Sequence, residues 1–294
     1  MNTNRYSLKS FLTDHNLEQI VIPEIQRDYV WREDNVKKLL SSIKEDADRQ
    51  ENVLAGVDQE TLSKLPPAAR EALSRSIDEG KSYCNVGFLY AYNDPEFPGR
   101  FMLIDGQQRI TTLFLLLLCL SVKEQKQEQF RRTYFREGTL KVDYKVREHS
   151  HEFLVNFVEH MLSGLELRQV EEQYWYFAEY KHDVTIQSIC SNYRVISEFL
   201  GSHDLSLQYV EDYIEFYYFD TNKSKQGEEL YIYMNSRGES VSSGETIKAG
   251  LLKGLSDSEK RSWGSRWEVW QNFFWKHSDN NQSADSGLEE FLRW

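Results

Sequence analysis

The chain has 294 residues, 40% of them hydrophobic and 28% charged, with 17 Tyr, 16 Phe and 7 Trp; this composition excludes a disordered chain and suits one large or two ordinary folded domains. Its 47 acidic residues outweigh 35 Lys and Arg for a net charge of −12, which argues against extended DNA binding by this surface while leaving room for a local basic pocket. Cys84, Cys119 and Cys190 are odd in number and lack ligand spacing, so neither a disulfide framework nor a zinc site is expected and a reducing cytoplasm fits best.

Met1 to Leu12 lacks the basic-then-apolar order of a signal peptide. Ile20-Val21-Ile22, closed by Pro23, reads as a strand entering a loop. From Arg32 to Asp48, Val36, Leu39, Leu40 and Ile43 recur at helical spacing, with Asp34 or Asn35 available as the N-cap. Residues 49–82, with Pro66-Pro67 and many charges, read as an insertion or a long helical excursion. Two strands are expected at Asn85–Tyr92 and Arg100–Ile104, and the second runs through Asp105-Gly106 into a helix. The apolar run Leu113–Leu120 is far short of the ~20 residues a membrane span needs and reads as a buried helix. Amphipathic, aromatic-rich helical stretches follow around 149–162, 186–200 and 208–218. The segment 228–234 is ambiguous between helix and strand, Asn235-Ser-Arg-Gly238 is a turn signal, and Ser243–Leu255 reads as a helix capped by Ser243. Trp263, Trp267, Trp270, Phe273, Phe274 and Trp275 share helical spacings that argue for packing, and Gly287–Trp294 reads as a helix start without a stop signal, the pattern of a chain that continues.

Three segments carry chemistry. Asp105-Gly106-Gln107-Gln108-Arg109 opens a helix, where unpaired N–H groups and the positive end of the dipole face an anion. Gly106 permits close backbone approach, the Gln107 and Gln108 amides add neutral donors, and Arg109 can give two charge-assisted bonds to a phosphate. Asp105 has three roles open to it: orienting Arg109, capping the helix, or holding a divalent cation. Thr111 and Thr112 are expected to pack. In the second segment, Ile22 to Trp31, Gln26 and Arg27 can reach a base edge or phosphate, and Tyr29 and Trp31 either stack on a base or anchor the core. The third, Tyr233 to Gly238 with Lys248, could bring Asn235, Arg237 and Lys248 to the same pocket.

In combination, Ile22-Pro-x-x-Gln-Arg-x-Tyr-x-Trp31, Asp105-Gly-Gln-Gln-Arg-x-Thr-Thr-Leu113 and Asn235-Ser-Arg-Gly238 with Lys248 resemble the amino-terminal domain of the GmrSD-type family, over roughly residues 5–255. The resemblance implies an α+β fold: a small ParB/sulfiredoxin-like mixed sheet with helices over residues 1–125, then a mainly helical region over 126–294 whose 228–255 segment returns to the pocket. It also implies NTP binding or hydrolysis that controls DNA cleavage, and Mg²⁺ is expected with the nucleotide. Asp105, Gln107, Gln108 and Arg109 would form the nucleotide site, with Gln26 and Arg27 beside it.

The seven histidines form no recognisable nuclease motif, and His149, His151 and His160 are expected on a helix surface. Either the nuclease is expected beyond Trp294, or it sits on a partner chain, or this member only regulates. On this reading Arg109 stabilises phosphate charge, Asp105 orients it or the metal, and Gln107 or Gln108 positions phosphate or water. The partners are the nucleotide and DNA, the latter reached through the full-length protein or a partner nuclease, with no membrane and with room for a homo-oligomer. A DNA-sensing module that binds modified DNA without nucleotide turnover is the alternative. A structural adaptor docking through the aromatic carboxy-terminal helix is a third reading.

Overall fold

The structure is a computed structural model that describes residues 4–14, 17–23, 28–55, 83–94, 97–136, 138–144 and 148–220, together with Trp263, Arg266 and Trp270 in helical turns. Eight strands are described: β1 (Asn4–Ser7), β2 (Gln19–Ile22), β3 (Cys84–Asn93), β4 (Arg100–Asp105), β5 (Phe135–Arg136), β6 (Thr139–Leu140), β7 (Val142–Tyr144) and β8 (Ile214–Asp220). Six of them form a mixed sheet in the order β1-β8-β3-β4-β2-β7, and β5 and β6 pair separately. The helices are α1 (Leu8–Leu12), α2 (Glu33–Ala55), α3 (Gln107–Lys123), α4 (Gln127–Tyr134), α5 (Glu148–Leu162), α6 (Val184–Ser202) and α7 (Leu207–Tyr213). The fold is α+β, as the sequence leads one to expect.

The sheet's centre follows from its apolar runs. All four residues of β2 are buried, as expected of a strand covered on both faces. It pairs in parallel with β4, Val21 opposite Met102, and with β7, Ile22 opposite Tyr144. The carboxyl ends of these three strands therefore lie along one edge of the sheet. β3 runs antiparallel to β4, and β8 runs parallel to β3. Since β7 and β8 begin at residues 142 and 214, the sheet draws strands from both sides of residue 125.

Helix α3 is apolar on every side, and Leu113 to Leu118 are each at most 1% exposed; such a helix has to sit inside the molecule. It packs against α4, α5, α6, α7 and β7. Thus the DGQQR segment stands at the end of the central rod of the core.

Two expectations change. Asp34 and Asn35 lie inside the first turn of α2 rather than before it. The helix begins at Glu33, and Asn35 reaches back to accept from the Arg32 N–H at 3.4 Å. The stretch 208–218 is not one helix: α7 ends at Tyr213 and β8 begins at Ile214. Ile214, Phe216 and Tyr218 are buried at a spacing of two, and this strand period overrides the helical one once β1 and β3 are available as partners.

Candidate functional site

β4 passes into α3 through one residue. Gly106 has φ 100° and ψ 7°, a left-handed conformation that glycine adopts without steric cost. A Cβ there would collide with the Leu89 side chain and stand 3.3 Å from the Phe88 carbonyl oxygen. The first helical bond runs from the Ile110 N–H to the Gly106 carbonyl at 2.9 Å. The N–H groups of Gln107, Gln108 and Arg109 precede it and have no acceptor within the helix. Among the described residues no side chain caps this end, so the capping role open to Asp105 is not the one it takes there. Instead its Oδ2 accepts from Arg109 Nη2 at 3.4 Å.

Arg109 is also held by the backbone. β4 stops at Asp105, opposite Tyr90, so the part of β3 before Tyr90 has no β4 residue beside it. Arg109 bonds to that part, Nη1 donating to Val86 O at 2.6 Å and Nη2 to Phe88 O at 2.9 Å. Gly87, at φ +94°, makes this approach possible, since a Cβ there would run into Nη1. With these two bonds and the one to Asp105, a guanidinium with five N–H groups keeps donors to offer.

Gln108 grips the segment that follows β2. Its Oε1 accepts from the N–H groups of Val30 and Trp31 at 2.9 and 3.0 Å, and its Nε2 donates to Asp28 O at 2.7 Å. Helix α6 holds the other side of that segment. The Tyr29 N–H donates to Thr185 Oγ1 at 3.1 Å, Thr185 Oγ1 donates to Asp28 Oδ1 at 3.2 Å, and Asn192 Nδ2 donates to Trp31 O at 2.8 Å. Residues 28–31 thus form a strap clipped between α3 and α6.

Tyr29 is fully buried, and its hydroxyl lies 2.7 Å from Thr112 Oγ1. Thr112 gives its own proton to Gln108 O at 2.8 Å, so Tyr29 is the donor. Burial pushes its phenol up to about 12. Of the two roles open to Tyr29, core anchor is therefore the one it takes, and Trp31 packs half-buried on the same core. Thr111 is buried and bonds the Tyr144 hydroxyl at 2.7 Å, so both threonines pack as expected. Gln107 is 4% exposed, and its amide forms no hydrogen bond among the described residues.

Asp105, Gly106, Gln107, Gln108 and Arg109 are thus brought together at the carboxyl edge of the parallel strands. Gln26, Arg27, Asn235, Arg237 and Lys248 lie outside the described residues, as does the whole 228–255 segment. Gln26 and Arg27 immediately precede the anchored Asp28. Toward a nucleotide's Mg²⁺ the residues offer the Asp105 carboxylate, whose side chain is 41% exposed. No cluster of three or more metal-ligating side chains occurs among the described residues. One carboxylate would suit Mg²⁺ brought by a polyphosphate rather than a dedicated protein cage.

Sequence reasoning missed Gly87, Thr185 and Asn192. Asn192 carried a signal: it is a polar residue on the apolar face formed by Ile189, Tyr193 and Ile196. It also missed Asp143, a carboxylate 3% exposed within β7. Asp143 accepts from Gln19 Nε2 at 3.0 Å and the Tyr144 N–H at 2.8 Å, and contacts His151 Nδ1 at 2.7 Å. His160 departs from the expected helix-surface position. It is 4% exposed, with Nε2 3.0 Å from Glu166 O, because the turn after α5 folds back over it.

No helix among the described residues is long and apolar enough to cross a membrane. No curated protein matches the chain. The family model for the GmrSD restriction endonuclease N-terminal domain matches residues 8–252, a span that contains the strap, the Asp105–Arg109 turn and the Asn235–Gly238 segment. The chain therefore belongs to the GmrSD restriction endonuclease N-terminal domain family and is part of a restriction or defence protein of that type.

Proposed function

We propose that this domain binds a nucleoside triphosphate with Mg²⁺ at the carboxyl edge of β2, β4 and β7, and that the bound state governs DNA cleavage by another domain or chain. The observation that carries the reading is the turn Asp105 to Arg109. N–H groups of Gln107 and Gln108 without an acceptor in the helix, the spare donors of Arg109 and the partly exposed Asp105 carboxylate meet there within one helical turn. Carboxyl ends of parallel strands are where open α/β sheets bind ligands, and a helix start there favours phosphate.

In this reading the phosphates take the backbone N–H groups of Gly106, Gln107 and Gln108, since the Gln108 amide already holds the strap. Gln107 supplies its buried amide. Arg109, fixed by two carbonyls, offers its remaining N–H groups to phosphate oxygens without further ordering. Asp105 would hold Mg²⁺, which neutralises phosphate charge when bound. Gln26 and Arg27, which immediately precede the strap in sequence, and Asn235, Arg237 and Lys248 are the further nucleotide-binding residues of this proposal. Hydrolysis, where it occurs, would use the same donors to stabilise charge on the transferred phosphoryl group.

Calorimetric titration with ATP and GTP in Mg²⁺ tests the reading, using wild type, Gln107→Ala and Arg109→Ala, with a thermal melt of each variant to confirm folding. Saturable binding by wild type, weakened at least tenfold in Gln107→Ala, is the expected result; each charge-assisted bond lost from Arg109 adds roughly 1.5–3 kcal/mol. Absence of binding by folded wild type overturns the reading. Strongly salt-dependent DNA binding that nucleotide leaves unchanged would replace it with DNA sensing.

A further inference from the structure

At the opposite end of α3 from the motif, a groove of about 630 Å³ opens between the last turn of α3, the end of α5 with the turn after it, and the second half of α6. This volume falls in the range of small-molecule sites, roughly 300–1,000 Å³. Its floor is apolar: Cys119, Met161, Tyr193 and Leu200 are each at most 5% exposed. Its mouth is charged, with Lys123, Arg168 and Arg194 facing Glu166 and Glu198.

The charges at the mouth do not cancel equally. Glu166 is paired with Arg168, and Glu198, one turn after Arg194 on α6, is the second of two carboxylates facing three cations. Lys123 donates to the Leu200 carbonyl at 2.7 Å, answering the carboxyl end of α6 and keeping two of its three N–H groups. Arg194 is exposed, and no ion pair to it forms among the described residues. The uncommitted charge at the mouth is therefore positive, in a chain whose net charge is −12. An apolar floor below two cations with donors to spare is complementary to one kind of ligand.

We infer that this groove is a second binding site, for a small amphipathic anion. An aromatic or aliphatic body lies against Met161, Tyr193 and Leu200, and a single carboxylate, sulfate or phosphate group reaches Lys123 and Arg194. The site is independent of the nucleotide edge, from which the 17 residues of α3 separate it by about 25 Å.

The probe is anilinonaphthalene sulfonate, an aromatic anion that fits the groove's chemistry. With methionine methyl groups labelled in the intact chain and Met161 assigned through Met161→Leu, the probe should shift the Met161 methyl signal and leave that of Met102 unmoved. Fluorescence titration should give a saturable affinity that falls roughly tenfold in Arg194→Glu, through loss of one charge-assisted bond. Binding should vanish in Ser197→Trp, where an exposed lining residue fills the groove. Lys38→Glu, an equal charge change outside the groove, should bind as wild type does. A Met161 signal unmoved at saturation, or folded Arg194→Glu and Ser197→Trp binding as tightly as wild type, overturns the inference.

Discussion

Gln108 shows how one side chain can fix a whole segment of the fold. Its carboxamide meets three backbone groups of the strap, and each group would otherwise need water or another partner. Neither Glu nor Asn substitutes for it: a carboxylate cannot donate to Asp28 O, and Asn is one methylene too short. Arg109 behaves in the same way, standing in for a missing strand at the Val86 and Phe88 carbonyls. Gln108→Ala is expected to destabilise the protein by roughly 2 kcal/mol, since hydrogen bonds of this kind contribute about 0.5–1.5 kcal/mol each net. The more specific consequence is local. Amide hydrogen exchange should accelerate at Val30 and Trp31 well beyond the global change in stability, while amides in the middle of α3 follow the global change alone. Equal acceleration at all of these positions would mean that Gln108 does not hold the strap.

Among the elements, α3 decides the most. An ordinary amphipathic helix buries one stripe, but α3 buries Leu113 to Leu118 on every side, so a cavity opened there has packed neighbours around it and little chance to collapse. Leu116→Ala should cost about 2–5 kcal/mol, read as a lowered midpoint in denaturant unfolding with an unchanged slope; a loss below about 1 kcal/mol would contradict the buried-rod description. This helix was legible in the sequence because eight consecutive apolar residues follow a glycine turn. So were β2, β3 and β4, whose runs are punctuated by Pro23 and Gly99. β8 was not legible, because Tyr209, Val210 and Tyr213 continue the apolar pattern into Ile214 and the switch from helical to strand spacing depends on β1 and β3. The Asp105 turn was legible as a strand–glycine–helix junction. Its structural duties were not: the carbonyls that hold Arg109 and the strap that Gln108 grips belong to β3 and to residues 28–31, and nothing in the pentapeptide encodes where those segments lie.

At the scale of the whole molecule, the core joins sheet and helices through buried hydroxyls as well as hydrocarbon. Tyr29 bonds Thr112, and Tyr144 bonds Thr111, so two neighbouring residues of α3 tie the strap and β7 to the same rod. Burial raises the Tyr29 phenol from 10.0 to about 12 and raises Tyr144 well above 10.0. A phenol is neutral when protonated, so a raised value means that the folded state keeps its proton where the unfolded chain has lost it. Stability from these groups is thus fully present below about pH 10 and declines as pH climbs from 10 toward 12, because ionisation then favours the unfolded chain. For Tyr29 alone the decline amounts to roughly 2–3 kcal/mol across that interval, since each tenfold difference in proton affinity between folded and unfolded chain is worth about 1.4 kcal/mol. Denaturant unfolding at intervals between about pH 8 and pH 12 should show a plateau and then a fall. Tyr29→Phe loses the bond to Thr112 and starts from a lower plateau, but its fall should be shallower because one buried phenol no longer titrates. Parallel curves for the two proteins would show that Tyr29 ionises in the fold as freely as in the unfolded chain, which its complete burial between α3 and α6 forbids.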